Sequence, residues 1–557
     1  MVTSGRSHGR EQRRVVDYLV DAVAALGVRN IFGVDGANIE DLYDAVFDAD
    51  VDVTGVVAKH EFSAATMADG YARSSSGLGV VAATSGGGAM NLVAGLAESY
   101  TSRVPVLALV GQPPTTLEGG GAFQDSSGRA GSIDAARLFF EISRYCARVE
   151  RPEDIAEHLE RAVSAALCGG PAVLLLPKDV QQATVTGPRF TPPTRRVVRD
   201  HIGLARVAEM IAAARRTGKI VLIVGDQVAR NDARAQVRAL AVALDAAVGV
   251  APDAKDCYAA DEHGFCGVAG IMGHAELVDA VQQAALCLLV GTRMPMTARA
   301  GLDGALAGVP VASIGAEPPY APTVHAVSMD LGSTLDELTA LFDVDGVPEP
   351  AGPQALTTLE VPDSSGPGLR YREAVEAITA MLPAGADVFA DAGNTGASVV
   401  HHLSVPRGGR FVVALGMGGM GYSFGAGIGS AFARNRRTFV IAGDGAFFMH
   451  GLEMHTAIEH DLPVTFIVFN NNAHAMCVTR EQLFYRDRYS FNRFRPALLG
   501  EGIAAMFPTL PAFAARSVGE LTDALARSAH TEGPSFVAVD CDPDEIPPFL
   551  PFLTSPR

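Results

Sequence analysis

Short apolar runs rich in β-branched residues recur along the whole chain, and stretches of helical spacing separate them. In the first third they fall at 30–34, 53–58, 79–84, 104–110 and 172–176. A middle group lies at 220–224, 247–250, 287–290 and 309–314, and a last group at 388–391, 411–414, 438–442, 464–469 and 535–540. A strand that is apolar along its whole length has both faces covered. Alternation of such strands with helices predicts parallel sheets wrapped by helices. Two Pro- and Gly-rich stretches, 187–196 and 346–368, lack a sustained apolar period and read as linkers. The 557 residues also exceed what one core holds. The expectation is an α/β chain of three Rossmann-like domains with mainly parallel sheets, over residues 14–186, 200–345 and 369–545. Residues 1–13 and 546–557 read as tails.

Charge and cysteine usage narrow the function classes. The net charge of -18 disfavours a nucleic-acid or anionic-membrane surface. The seven cysteines form no CxxC pair, which argues against a zinc site or a disulfide framework and fits a reducing, cytoplasmic compartment. No apolar run reaches transmembrane length, and no apolar segment of secretory type follows the basic first residues.

The chemistry concentrates in IAGDGAFFMHGLEMHTAIEHDLPVTFIVFNNN, residues 441–472. Two strands, 438–442 and 464–469, flank a crossover helix expected at 451–460. In a right-handed βαβ unit both strands end on one edge of the sheet, so Asp444 and Asn471 should meet there. A carboxylate and an amide oxygen are hard ligands suited to Mg²⁺ or Ca²⁺, but they are too few to hold it alone. Gly443 and Gly445 let a phosphate approach the backbone, and the following helix start presents N–H groups to an anion. The segment therefore reads as an anchor for a metal and a diphosphate.

GDG followed one βαβ unit later by NN resembles the signature of enzymes that use thiamine diphosphate. The order of three α/β blocks resembles their pyrimidine-binding, central and diphosphate-binding domains. Within them the chain is similar to the acetolactate synthase family, over residues 14–543. The resemblance implies that Asp444, Asn471 and the backbone oxygen of Ala473 hold Mg²⁺. It places Asn394 and Thr395 of DAGNTGAS on the diphosphate, with Ala446 and Met476 also at the cofactor. In GMGGMG, residues 416–421, the carbonyl of Gly418 would meet the aminopyrimidine and Met420 would wedge between the two rings. VVAKHEFSAATMADGYAR, residues 56–73, places Glu61 where the family keeps the glutamate that moves the cofactor's proton.

The long run at 83–114 and GAFQDSSG, residues 121–128, resemble acetolactate synthases closely. They imply that Phe123 and Gln124 face the substrate, with Gln124 donating to a ketoacid oxygen. The histidine pair that pyruvate decarboxylases carry in this first domain has no counterpart. His401-His402 lies on a helix of the last domain and reads as a solvated face.

Other positions depart from the family. Val34-Asp35-Gly36-Ala37 replaces a Pro-Gly-Gly turn, SGGGAM replaces SGPGAT, and Arg480 stands where the family has a tryptophan. Val34, Asp35, Gly36, Phe123 and Arg480 are thus candidate substrate-pocket residues. The implied activity is decarboxylation of pyruvate or another 2-ketoacid, with transfer of the acyl carbanion to a carbonyl acceptor. A non-ligating decarboxylase, acetolactate synthase proper and a non-catalytic homologue stay open. FAD is a further candidate cofactor, because 288–301, with Arg293 and Arg299, resembles a segment near the family's flavin. The glycine cradle expected there is reduced to Val224-Gly225-Asp226. The partners implied are small molecules and further copies of the chain, as a homodimer or homotetramer.

Overall fold

The computed structural model describes residues 11–193, 198–342 and 355–554. The chain divides into two compact units, residues 1–195 and 196–557. The first holds one six-stranded sheet and the second holds two.

In the first unit the strand order is Thr54–Val57, Asn30–Val34, Gly79–Ala83, Val106–Gln112, Pro171–Pro177, Tyr145–Arg148, all parallel. Its three central strands are buried along their whole length, as continuous apolar runs require. Residues 11–13, expected in a tail, belong to the strand Glu11–Arg14. That strand pairs antiparallel with Thr184–Gly187 and so ties the start of the unit to its end.

In the second unit the middle sheet runs Phe265–Val268, Ala247–Val250, Ile220–Val224, Leu286–Val290, Val311–Gly315, Val324–Val327. The last runs Phe411–Val413, Asp387–Ala390, Thr438–Gly443, Val464–Asn470, Ser535–Asp540, Ala512–Ala515. Every neighbour pair in both is parallel. Residues 546–554, read as a tail, instead carry the short helix Leu550–Leu553. Its Leu550 N–H donates to the Ile271 carbonyl at 2.9 Å, and Phe552 is buried. Residues 194–196 of the first linker and 343–354, which cover the end of the central domain and part of the second linker, lie outside the described residues.

One helix links the middle and last sheets. Gly393–His402 follows the strand Asp387–Ala390, and its C-terminal carbonyls receive the amino group of Lys255 from the middle block; burial pushes the pKa of this amine down to about 7. Nζ donates to the carbonyls of Val399 at 3.3 Å, Val400 at 2.5 Å and Leu403 at 2.6 Å. A donor on the last carbonyls of a helix satisfies acceptors that have no partner within it.

Candidate functional site

In the first unit Glu61 opens the helix Glu61–Ser75, and His60 caps it by accepting the Phe62 N–H at 3.0 Å. The Glu61 side chain is buried, and its Oε2 accepts from Asn91 Nδ2 at 2.9 Å. Gly88 makes the room: a Cβ there would stand 3.0 Å from Glu61 Oε1 and 2.9 Å from Thr84 Cγ2. Asn91 directly follows SGGGAM, and nothing in the local sequence marks its contact with Glu61.

Gln124 has a left-handed backbone, φ 58°, and its Oε1 accepts from Thr84 Oγ1 at 3.3 Å. Gly86 lies under it, where a Cβ would come within 2.8 Å of Gln124 Cβ. Thr84 also bounds the 34–36 turn, since a Cβ on Gly36 would meet its Cβ at 2.9 Å. Gln124 and Gly36 are thus both placed by Thr84. Val34 is half-buried, while Asp35 and Phe123 are exposed.

In the second unit the strand ends meet as the βαβ argument requires. Thr438–Gly443 and Val464–Asn470 are adjacent, with Gly443 opposite Phe469. The helix starts at Asp444 itself (Asp444–His450) rather than at 451, so the acid sits at the first helical position with Gly443 as cap. Asp444 is buried, and its carboxylate accepts the N–H of Gly445 at 2.8 Å and of Asn472. Burial pushes its pKa up to about 7: among the described residues no cationic side chain pairs with it, and backbone N–H groups offset only part of the desolvation. Asn471 is fixed from both sides: Oδ1 accepts the Ala473 N–H at 3.0 Å and Nδ2 donates to Tyr371 Oη at 2.8 Å. Asn472 turns the chain at φ 54°, and its Oδ1 accepts the Ala497 N–H at 2.9 Å. The third asparagine therefore braces the loop and adds no ligand.

Gly393, Asn394, Thr395, Gly418, Met420, Gly443, Asp444, Gly445, Ala446, Asn471, Ala473, Met476 and Arg480 all line one cavity of about 310 Å³. Asn394 Oδ1 is buried there with no hydrogen-bond partner among the described residues. A Cβ on Gly445 would stand 2.6 Å from His474 Cδ2 and 3.1 Å from Met420 Cε, so the methionine tip lies over the GDG turn. A Cβ on Gly443 would meet nothing nearer than Thr395 Oγ1 at 3.6 Å, which leaves this stretch of backbone open to a ligand. The glycine segment that carries Gly418 and Met420 is held by a residue that sequence reasoning passed over. Buried Asp391 accepts the N–H of Gly421 at 3.0 Å, the N–H of Ser423 at 3.0 Å and the Ser423 hydroxyl at 2.8 Å. Burial raises the pKa of this acid, and these three donors together with the Ala392 N–H at 2.9 Å oppose the shift.

Among the described residues no group of three or more His, Cys, Asp or Glu is placed to hold a metal. A divalent cation fits here in another way: a buried carboxylate lacks a counter-ion, an amide oxygen and a backbone carbonyl adjoin it, and a phosphate ligand could complete the shell.

One expectation in this unit needs correction. His401 is buried, not solvated. It stacks on His274 at 4.6 Å, its Nδ1 meets the Met272 carbonyl at 3.0 Å, and its Nε2 accepts the Leu359 N–H at 2.9 Å. Burial lowers the pKa of His401 to about 4 and of His274 and His402 to about 3. These histidines and Lys255 line a larger cavity of about 590 Å³, which includes neither Asp444 nor Asn471.

In the middle sheet, three backbone N–H groups beside the strand ends bond within the protein. Gly225 donates to Val290, Gln227 to Gly291, and Ala316 to the Gln227 side chain. Arg293 lies over the Tyr320 ring at 5.9 Å and Arg299 donates to the Tyr320 carbonyl at 2.9 Å.

Family models match along the chain in order. The N-terminal TPP binding domain of thiamine pyrophosphate enzymes matches residues 13–130, their central domain 204–338, and their C-terminal TPP binding domain 391–539. The acetolactate synthase isozyme 2 large subunit of Escherichia coli is 28% identical over 491 residues, covering 85% of this chain and 86% of its own. An acetolactate synthase of Mycobacterium bovis is 29% identical over 500 residues, covering 85% and 78%. The fold is shared, at a TM-score of 0.80 and 23% identity, with an X-ray structure of a candidate thiamin diphosphate-dependent enzyme from Mycobacterium smegmatis. The match covers 95% of this chain and 99% of that one.

Proposed function

The chain belongs to the thiamine pyrophosphate-dependent enzymes of acetolactate synthase type, and we propose that it decarboxylates pyruvate or a related 2-ketoacid and joins the acyl unit to a carbonyl acceptor. The observation that carries this reading is a buried Asp444 without a counter-ion, set beside Asn471 at one strand edge in a cavity that also takes in Asn394 and Met420. Thiamine diphosphate, when bound, supplies the nucleophilic carbon that takes up the acyl group and holds the electron pair left by CO₂.

The chain's own residues do the rest. Asp444, Asn471 and the Ala473 carbonyl hold Mg²⁺, and Asn394 and Thr395 hold the diphosphate. Met420, poised over Gly445, would pack against the cofactor's rings. Glu61 moves a proton at the pyrimidine nitrogen, and Asn91 fixes the direction of its carboxyl group. Gln124, a neutral amide, donates to the ketoacid oxygen without trapping a charge. No step uses FAD, and visible absorbance of the purified protein tests whether a flavin is present. The same proposal includes a cytoplasmic location and assembly as a homodimer or homotetramer. Among the described residues no helix is long and apolar enough to cross a membrane.

The test is incubation with pyruvate, thiamine diphosphate, Mg²⁺ and a panel of ketones and aldehydes, read by CO₂ release and product mass. A ligated ketol is the expected product. Free aldehyde alone would reduce the activity to decarboxylation, and no CO₂ from any 2-ketoacid would overturn the reading.

A further inference from the structure

We propose that Tyr371 is a positioning residue of the metal site, and that its phenol sets the preference of the chain for Mg²⁺ over Ca²⁺ by holding the amide of Asn471. The inference rests on the reading of Asp444 and Asn471 as metal ligands and adds the residue that stands behind one of them. Tyr371 comes from a distant part of the second unit: 100 positions separate it from Asn471, and it opens the helix Tyr371–Met381. Tyr371 is 1% exposed, and its Oη accepts from Asn471 Nδ2 at 2.8 Å. A buried tyrosine hydroxyl needs a polar partner. Here that partner is the candidate ligand itself.

The phenol has little freedom to follow the amide. Its ring stacks on that of Phe469, with centroids 5.7 Å apart and planes at 15°. The Tyr371 N–H donates to both carboxylate oxygens of buried Glu545, at 3.0 and 3.2 Å. Beside it the Leu369 N–H donates to the Asp540 carbonyl at 2.9 Å, and Arg370 pairs with Asp542 at 3.3 Å. Tyr371 is thus seated on the end of the strand Ser535–Asp540 and on Phe469 of the strand Val464–Asn470, and these two strands are neighbours in the sheet. The hydroxyl is a fixed point in the frame of the sheet whose edge carries Asn471.

A fixed hydroxyl decides how the amide meets a cation. An amide carries an oxygen with two lone pairs at one end and two N–H donors at the other. Asn471 Oδ1 takes the Ala473 N–H at 3.0 Å and keeps a lone pair over, while Nδ2 is held by the phenol. Without the hydroxyl a buried NH₂ group loses its acceptor, and the amide turns to recover one. The oxygen swings with it. Mg²⁺ demands a near-octahedral shell at about 2.0–2.1 Å, whereas Ca²⁺ accepts a flexible one at about 2.3–2.6 Å. A displaced amide oxygen therefore penalises Mg²⁺ more than Ca²⁺. Residues that orient a metal ligand from behind commonly carry a factor of about 10–100 in metal affinity.

The experiment titrates Mg²⁺, and separately Ca²⁺, into the full chain saturated with thiamine diphosphate, by calorimetry, for wild type and Tyr371→Phe. Phenylalanine keeps the ring on Phe469 and removes only the hydroxyl. Kd for Mg²⁺ should rise about tenfold or more, and Kd for Ca²⁺ by a smaller factor, so that the preference for Mg²⁺ falls. An unchanged Kd for Mg²⁺ overturns the proposal. An equal loss for the two ions also overturns it, because a merely structural role would weaken both alike.

Should Tyr371→Phe not fold, as judged by urea denaturation, Phe469→Leu carries the same test. It keeps the hydroxyl but removes the ring's support, and the preference for Mg²⁺ should fall in the same direction; an unchanged preference overturns the inference. A wild type that binds thiamine diphosphate equally well with and without a divalent cation would instead sink the metal reading. Mg²⁺ binding that is required by wild type and unaltered in Tyr371→Phe sinks only the role given to Tyr371.

Discussion

Asp391→Ala isolates the device that shapes the cofactor cavity. The Asp391 carboxylate accepts from the backbone N–H groups of Gly421 and Ser423 and from the Ser423 hydroxyl, and all of these are buried. Alanine leaves two buried backbone donors without an acceptor, at about 1–3 kcal/mol each. The expected loss of folding stability is therefore roughly 2–6 kcal/mol, less whatever an entering water restores. Asp391→Asn should cost less. Its amide oxygen still accepts one N–H, its NH₂ group opposes the other, and the Ser423 hydroxyl can turn to accept. The assay is urea denaturation of the cofactor-free protein, paired with titration of thiamine diphosphate. The midpoint should fall in the order wild type, Asn, Ala. Cofactor affinity should fall in the same order, because the segment bearing Gly418 and Met420 loses its tether. If Asp391→Ala keeps both the midpoint and the affinity of wild type, the clamp argument is wrong.

Asp444→Ala should lose cofactor affinity in a way that moderate excess of thiamine diphosphate does not rescue; unchanged affinity would remove Asp444 from the metal shell. Glu61→Gln should slow hydrogen–deuterium exchange at the cofactor's thiazolium carbon by at least the lower end of ~10²–10⁴-fold, while Gln124→Ala should leave that exchange running and shift product from ketol toward free aldehyde. Both results are read by NMR and product mass, and exchange at the wild-type rate in Glu61→Gln would show that another group is the base. Stability should also depend on pH through His274, His401 and His402. Their folded pKa values of about 3 to 4 lie below the unfolded value of about 6.5, so the unfolded chain binds protons first as pH falls. Their contribution is complete above about pH 6.5 and declines toward pH 4, by up to about 1.4 kcal/mol per pH unit for each histidine. Denaturation midpoints measured across this window check the slope, and replacing His401 with glutamine should flatten it.

The sequence showed the interiors of the sheets far better than their edges. The expected strands at 30–34, 220–224 and 535–540 match the observed ones residue for residue. Tyr145–Arg148, Phe265–Val268, Val324–Val327 and Ala512–Ala515 went unread, and each is the outermost strand of its sheet. A strand with one neighbour is short and, in three of these four, only part-buried, so it need not be a continuous apolar run. The same logic divides the site. Asp444 and Asn471 were legible because strand ends and glycines mark them locally. Asn91, Asp391 and the burial of His401 were not, because each depends on a partner distant in sequence: Glu61, Ser423 and Met272. The left-handed backbone of Gln124 leaves no local signal either, since the room for it is made by Gly86.

The helix Gly393–His402 brings Asn394 and Thr395 to the cavity at one end and rests on Lys255 at the other. Ten residues of α-helix make a stiff rod about 15 Å long. A tilt of one degree about its seated end displaces the far end by about a quarter of an ångström on that length. Ligand geometry at a diphosphate is sensitive on the same scale, so the middle sheet acts as a bearing for a lever whose working end lies in the cavity. Substitutions around Lys255 that touch neither cofactor nor substrate will therefore register first as weakened cofactor retention, before the protein as a whole loses stability.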